Sequence, residues 1–200
     1  MRFPKDQKAK TRERILDAAA TVFRRQGYRG GGVDAVMREA GLTAGAFYAH
    51  FPSKDALFAE AVVHALRKAT VFTGAHLDGL SGVEWVAAAV GWYLSPQHRE
   101  RAESGCPLPP LLAEVARGPI EARSGFEKEL RATADAIAGQ AGDADDALAV
   151  LALMIGGMSL ARGVADEELS NRILAACRRA VDTVSRAKPV SGKKPKKERK

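Results

Sequence analysis

The sequence predicts an all-α fold, and three observations carry that expectation. Apolar residues recur at three- and four-residue spacing along most of the chain. No run alternates apolar and polar residues in the manner of a half-buried strand, and β-branched residues are sparse. Breaks between the periodic stretches coincide with glycine or proline, as at Gly27, Gly41, Pro52 and Pro96. At 200 residues, 46% of them hydrophobic, the chain suits one domain or a small domain joined to a larger one. It can bury roughly 70% of its unfolded surface, which excludes a disordered or collagen-like chain.

The elements follow in order. A first helix runs from about residue 9, with Ile15, Ala19, Val22 and Phe23 on one face, and ends at Gln26-Gly27. Gly30-Gly31-Gly32 reads as a flexible break. A short helix follows with Val33, Val36, Met37 and Ala40 at i, i+3, i+4 and i+7, and Gly41 stops it. Thr43 N-caps a third short helix over 44–50. After Pro52, Ser53 caps a fourth, with Leu57, Phe58, Ala61, Val62, Ala65 and Leu66, which fades near Thr73-Gly74. Further helices are expected over 83–94, 98–103, 107–116, 120–141, 143–164 and 166–187. The last begins acidic and turns basic, as the helix dipole favours.

Charge is uneven. Residues 1–60 hold 11 Lys/Arg against 7 Asp/Glu, and residues 188–200 hold 7 against 1, while the segment between is mildly acidic. A polyanion partner for the first segment follows as an expectation. Residues 188–200, lysines broken by Pro189, Gly192 and Pro195, are expected as a disordered basic tail. Arg2, Lys5, Lys8, Lys10, Arg12 and Arg14 make either a basic arm toward the DNA backbone or minor groove, or a solvated leader. No uninterrupted apolar run reaches the ~20 residues of a membrane span. The N-terminal residues have no apolar stretch behind their charges, and two cysteines make no disulfide framework. A cytoplasmic protein with no membrane partner is expected.

Two short helices around a glycine turn, residues 33–51, make a helix-turn-helix unit. Leu42, Phe47 and Phe51 point inward. The outward set is Thr43, Ala44, Gly45, Ala46, Tyr48 and His50, joined by Arg29, Gly32 and Val33 ahead of and at the start of the preceding helix. Small residues let the element sink into a major groove about 12 Å wide. Thr and Ala methyls meet thymine methyls, while Tyr and His reach phosphates. Lys54 in a first helical turn opposes the dipole, and a DNA phosphate would offset that.

Here the chain resembles the TetR family of bacterial transcriptional repressors. The resemblance lies in Thr11–Ala19, in Phe23-Arg24-Arg25-Gln26-Gly27-Tyr28, in Val33–Gly41, and in Thr43–Leu57 with its Tyr48-Ala49-His50-Phe51-Pro52-Ser53-Lys54 string. It covers about residues 9–62. It implies a homodimer with an N-terminal three-helix DNA-binding domain (1–53), and a helical effector-binding and dimerisation domain (54–187) whose final two helices pair. The partners implied are a palindromic operator in double-stranded DNA and a small-molecule effector. Gly31-Gly32 and Ala46 stand where the family commonly has hydroxyls, and Ala44 where lysine or proline is common. With no Arg, Asn or Gln on the recognition segment, affinity is expected to lean on phosphates and DNA shape.

In the second half, Trp85 and Trp92 lie seven apart with Ala88 and Ala89 between them. They line an apolar pocket or belong to ordinary core, as do Phe126, Met154 and Met158. Cys106, ahead of Pro107, is placed as the N-cap of the helix over 107–116, where the dipole would favour thiolate; the alternative is a small buried thiol. The segment Gly105-Cys106-Pro107-Leu108 resembles a subgroup of the family, some members of which sense electrophiles or oxidants through cysteine. The competing classes are an effector-independent DNA-organising protein and an enzyme. The four histidines lack metal-ligand spacing, and no nucleophile elbow, phosphate loop or dinucleotide fingerprint occurs. No catalytic residue, cofactor or metal is expected.

Overall fold

A computed structural model describes residues 5–141 and 143–186. Among these residues the chain forms nine α-helices and one 3₁₀ segment. They are α1 (Lys5–Gly30), α2 (Val33–Glu39), the 3₁₀ segment Ala44–Ala49, α3 (Lys54–His76), α4 (Gly82–Tyr93), α5 (Pro96–Glu100), α6 (Leu108–Arg117), α7 (Ile120–Ala141), α8 (Ala144–Gly163) and α9 (Glu167–Arg186). The expected all-α class holds. Four helix starts are fixed by side-chain caps, each worth about 1 kcal/mol; at α9 the cap is Asp166, which accepts from Leu169 N. Ser53 Oγ accepts from Ala56 N at 3.1 Å, Ser95 Oγ from His98 N at 3.1 Å, and Asp143 Oδ1 from Asp145 N at 2.9 Å.

Several boundaries differ from the sequence expectation. Helix α1 begins at Lys5, so Lys5, Lys8, Lys10, Arg12 and Arg14 lie on a helix and not in an extended arm; Arg2 lies outside the described residues. The first helical run is interrupted at Gly27, where it was expected to end, by a non-helical φ of 69° and ψ of 175°, and backbone bonding resumes beyond it to Gly30. The glycine run is no open break. A β-carbon at Gly31 would stand 2.7 Å from Phe23 Cδ1. Helix α3 continues past Gly74 to His76, and the short polar helix near residue 98 begins at Pro96. The basic tail expected at 188–200 lies outside the described residues.

Two apolar clusters hold the helices. One gathers Ile15, Ala19, Val22 and Phe23 of α1, Val36 and Met37 of α2, Phe47, Phe51, and Leu57, Phe58, Ala61 and Val62 of α3. It also takes in Leu111 and Val115 of α6 and Ala122 of α7. Phe23 and Phe58 meet edge-to-face at its centre, with ring centroids 5.3 Å apart. The second cluster holds Val86, Val90, Leu94, Ile137, Val150, Met154, Met158, Leu174 and Val181 from α4, α7, α8 and α9. Helix α8 has the length and composition to cross a membrane. Its Ala147, Val150, Leu151, Met154, Gly157, Met158 and Ala161 instead pack inside this bundle. Gly157 sets the α8–α9 approach: a β-carbon there would stand 2.7 Å from Cys177 Sγ.

Candidate nucleic-acid interface and its junction with the second half

The turn between α2 and the 3₁₀ segment follows from one glycine. Gly41 adopts φ +64°, a left-handed conformation that costs other residues about 1 kcal/mol. Leu42 N then donates to Met37 O at 2.8 Å and Gly41 N to Arg38 O at 3.0 Å. That pair of bonds is the Schellman arrangement, which satisfies the last carbonyls of α2. The segment after it is a 3₁₀ helix, not the α-helix expected over 44–50. Six residues with Gly45 near the start propagate an α-helix poorly, and the tighter 3₁₀ form serves short pieces. Thr43 does occupy the N-cap position, but its hydroxyl makes no cap bond.

The segment has two unlike faces. Phe47 and Phe51 are fully buried and stack with ring centroids 6.0 Å apart, and Leu42 packs half-buried against the same cluster. Thr43, Ala44, Gly45 and Tyr48 are exposed, Tyr48 by 75%. Ala46 and His50 are half-buried, as are Gly32 and Val33 at the start of α2, and Arg29 is exposed. Burial, then the positive charges of Lys8 and Arg12, hold the His50 imidazole below its ordinary pKa. Its Nδ1 is buried with no hydrogen-bond partner. Arg12 lies 4.4 Å over the Phe51 ring and pairs with Glu60 at 2.6 Å, tying α1 to α3.

Lys54 is held by its own chain. Its Nζ sits 4.6 Å over the Tyr28 ring and donates to Arg29 O at 3.5 Å. The Tyr28 hydroxyl donates to Asp55, which pushes the phenol pKa up to about 12. Tyr28 is therefore part of this corner. Its place directly after Gly27 was the available signal.

The comparisons with known proteins agree on this region. The family described as "Bacterial regulatory proteins, tetR family" matches residues 15–61. The HTH-type transcriptional regulator LmrA of Bacillus subtilis (strain 168) is 45% identical over 53 residues, 26% of this chain and 28% of that protein. The HTH-type transcriptional regulator AcrR of Shigella flexneri is 39% identical over 56 residues, 28% of this chain and 26% of that protein. Residues 15–61 are a DNA-binding segment of the TetR type. The alignments span under a third of these curated relatives. Beyond them the fold alone is shared: a crystal structure of a TetR transcriptional regulator from Chloroflexus aurantiacus superposes with a TM-score of 0.74. It covers 88% of this chain and 96% of that one at 24% identity.

Of the expected sensor residues, Trp85, Trp92, Cys106, Met154 and Met158 lie in or against the second cluster, and Phe126 does not. Met154 and Met158 are buried in the second cluster, with Trp85 and Trp92 half-buried at its edge. Phe126 packs against the other cluster, beside the N-terminal helices. Cys106 is not the N-cap of α6, because Pro107 occupies that position. Burial pushes its thiol above the ordinary cysteine pKa, against the opposing pull of the Tyr93 hydroxyl, the Leu108 backbone, Arg162 and Arg24. Both observations favour the small-thiol alternative over a thiolate at a helix cap.

What surrounds Cys106 was not foreseen. Its backbone N donates to His98 Nε2 at 3.1 Å, so the ring proton sits on Nδ1 and is donated to Tyr93 O at 2.7 Å. Arg162 of α8 donates to His98 O at 2.7 Å and to Arg99 O at 3.0 Å. Arg24 of α1 donates to Glu103 O at 3.0 Å. Residues 98–106 are thus held between the first helix and the eighth. Arg24 Nε and Arg162 Nη1 are buried with no hydrogen-bond partner, and the buried Tyr93 hydroxyl faces the Cys106 thiol. The Arg24-Arg25 pair was in plain sight, but no local pattern names its distant acceptors.

Proposed function

We propose that this chain is a homodimeric transcriptional regulator that binds a palindromic operator in double-stranded DNA and acts as a repressor. The observation that carries this reading is the two-faced 3₁₀ segment: Phe47 and Phe51 anchor it at 0% exposure while Thr43, Ala44, Gly45 and Tyr48 face outward. Two such segments would meet successive major grooves about 34–36 Å apart. Pairing is supported by α8, whose unburied side carries Leu148, Ala152, Gly156 and Leu160, with Leu169 of α9 also exposed. Apolar exposure of this kind marks a partner surface. Release from DNA follows binding of a small molecule in the second half, or modification of Cys106. The raised thiol pKa favours the first route.

The test is fluorescence anisotropy on a palindromic duplex selected from a random pool. Tyr48→Ala weakens binding about tenfold, the scale of one lost charge-assisted contact, and leaves thermal unfolding unchanged. The affinity falls steeply with salt, as phosphate-led binding requires. A duplex affinity that is flat in salt, or untouched by Tyr48→Ala, refutes the reading.

A further inference from the structure

A cleft of about 340 Å³ opens at the C-terminal end of α4, lined by Trp92, Ser95, Gln97, His98 and Arg101. We propose that this cleft binds a small planar monocarboxylate, with the carboxylate on Arg101 and the flat body against Trp92. Its volume lies at the low end of the range that holds small ligands. One wall is the Trp92 ring, backed from inside by His98, with ring centroids 4.9 Å apart and planes 23° apart. That wall is also rigid. His98 is 2% exposed, and both its ring nitrogens are engaged, by Tyr93 O and by Cys106 N. A preorganised wall loses little freedom when a ligand settles on it.

The polar side of the cleft selects the charge. None of the lining residues is acidic. Arg101 is exposed and makes no salt bridge among the described residues. The neighbouring Arg99 is already engaged, by Ser170 Oγ at 2.9 Å and by Glu100 and Glu167 at 3.7 and 3.6 Å. A free guanidinium offers two parallel N–H groups that match a carboxylate. Ser95 Oγ accepts from His98 N, which leaves its own proton to donate. Gln97, exposed at the rim, adds an amide. Flat apolar wall, single cation and neutral donors together describe an aromatic or heteroaromatic acid.

This binding claim goes beyond the operator reading and is measured without DNA, so failure of either leaves the other legible. Isothermal titration calorimetry of the full chain uses benzoate, benzamide and cyclohexanecarboxylate at constant sodium chloride. Benzoate binds saturably. Benzamide, which lacks the charge, binds about tenfold or more weakly, and Arg101→Gln loses benzoate affinity by a similar factor. Cyclohexanecarboxylate, which is not flat, also binds less tightly. Arg101 is exposed, so its replacement leaves the thermal unfolding midpoint in place. Absence of saturable benzoate binding overturns the proposal, as does equal affinity for either analogue or for Arg101→Gln.

Discussion

Replacing His98 by phenylalanine isolates what its two ring nitrogens contribute. The ring volume and its stacking on Trp92 are kept, while Tyr93 O and Cys106 N lose their partner. Each buried group left unpaired costs about 1–3 kcal/mol, so the variant is destabilised by roughly 2–6 kcal/mol near neutral pH. The wild type carries a second signature. With Nδ1–H already given to Tyr93 O, a proton on Nε2 would face the Cys106 N–H, donor against donor. Burial, aided by the Arg162 and Arg101 charges, holds the imidazole below its ordinary 6.5, although the Tyr93 carbonyl pulls the other way. The native state therefore stays neutral where the unfolded chain has taken up a proton. Stability is fully present above about pH 6.5 and is lost as the pH falls toward the folded pKa, by up to about 1.4 kcal/mol per pH unit. Urea unfolding followed by far-UV circular dichroism, at one protein concentration, measures both proteins between about pH 7.5 and about pH 5.5. The stability gap narrows by up to about 1.4 kcal/mol over that range, because only the wild type has this group to protonate. His50 and His64 are common to both proteins and cancel. A gap that stays constant or widens in acid refutes the tautomer and its hydrogen bonds.

Two further outcomes are checked the same way. Tyr93→Phe removes a buried hydroxyl whose neighbour is the weakly bonding Cys106 thiol, so stability to urea changes by about 1 kcal/mol at most; a larger loss would mean that the hydroxyl is strongly bonded. Gly41→Ala places a β-carbon in the left-handed region at φ +64° and costs roughly 1–2 kcal/mol. It shifts the thermal midpoint down although nothing lies within 4 Å of the added carbon, and an unchanged midpoint would show that the turn relaxes freely.

The N-terminal half was legible because its determinants are local. Phe47 and Phe51, four apart, bury together. Gly41 reports its own backbone angle, and Ser53 caps the helix it precedes. Errors there came from length, since six residues after a glycine turn give too short a run to show whether α or 3₁₀ bonding wins. Phe126 parted from the rest of the sensor set for a different reason. Helical spacing says which residues share a face but not which cluster the face meets, and so Phe126 went to the N-terminal core while Met154 and Met158 went to the other. Cys106 failed at its cap. Proline suits the N-cap-adjacent start in general, and here Pro107 itself took the cap while the thiol turned inward. His98 carried no signal at all, because its partners are a carbonyl five residues back and an amide eight residues on.

The shared cluster bears on how the two halves communicate. Leu111 and Val115 of α6 and Ala122 of α7 lie in the same core as Phe23, Phe47 and Phe58. A close-packed core does not deform continuously, so a shift of α6 must repack the residues that set the 3₁₀ segment. The polar ties run the same way. Arg24 holds Glu103 O at 3.0 Å, and Arg25 reaches Glu39 of α2 at 2.9 Å and Glu103 at 3.8 Å. Residues 98–106, which connect the cleft at Trp92 to the start of α6, are therefore bonded directly to α1 and through Arg25 to α2. Exposed pairs such as Arg25–Glu39 contribute at most about 1 kcal/mol each, so these ties set direction more than strength. The strength lies in the apolar core that α6 and the 3₁₀ segment have in common.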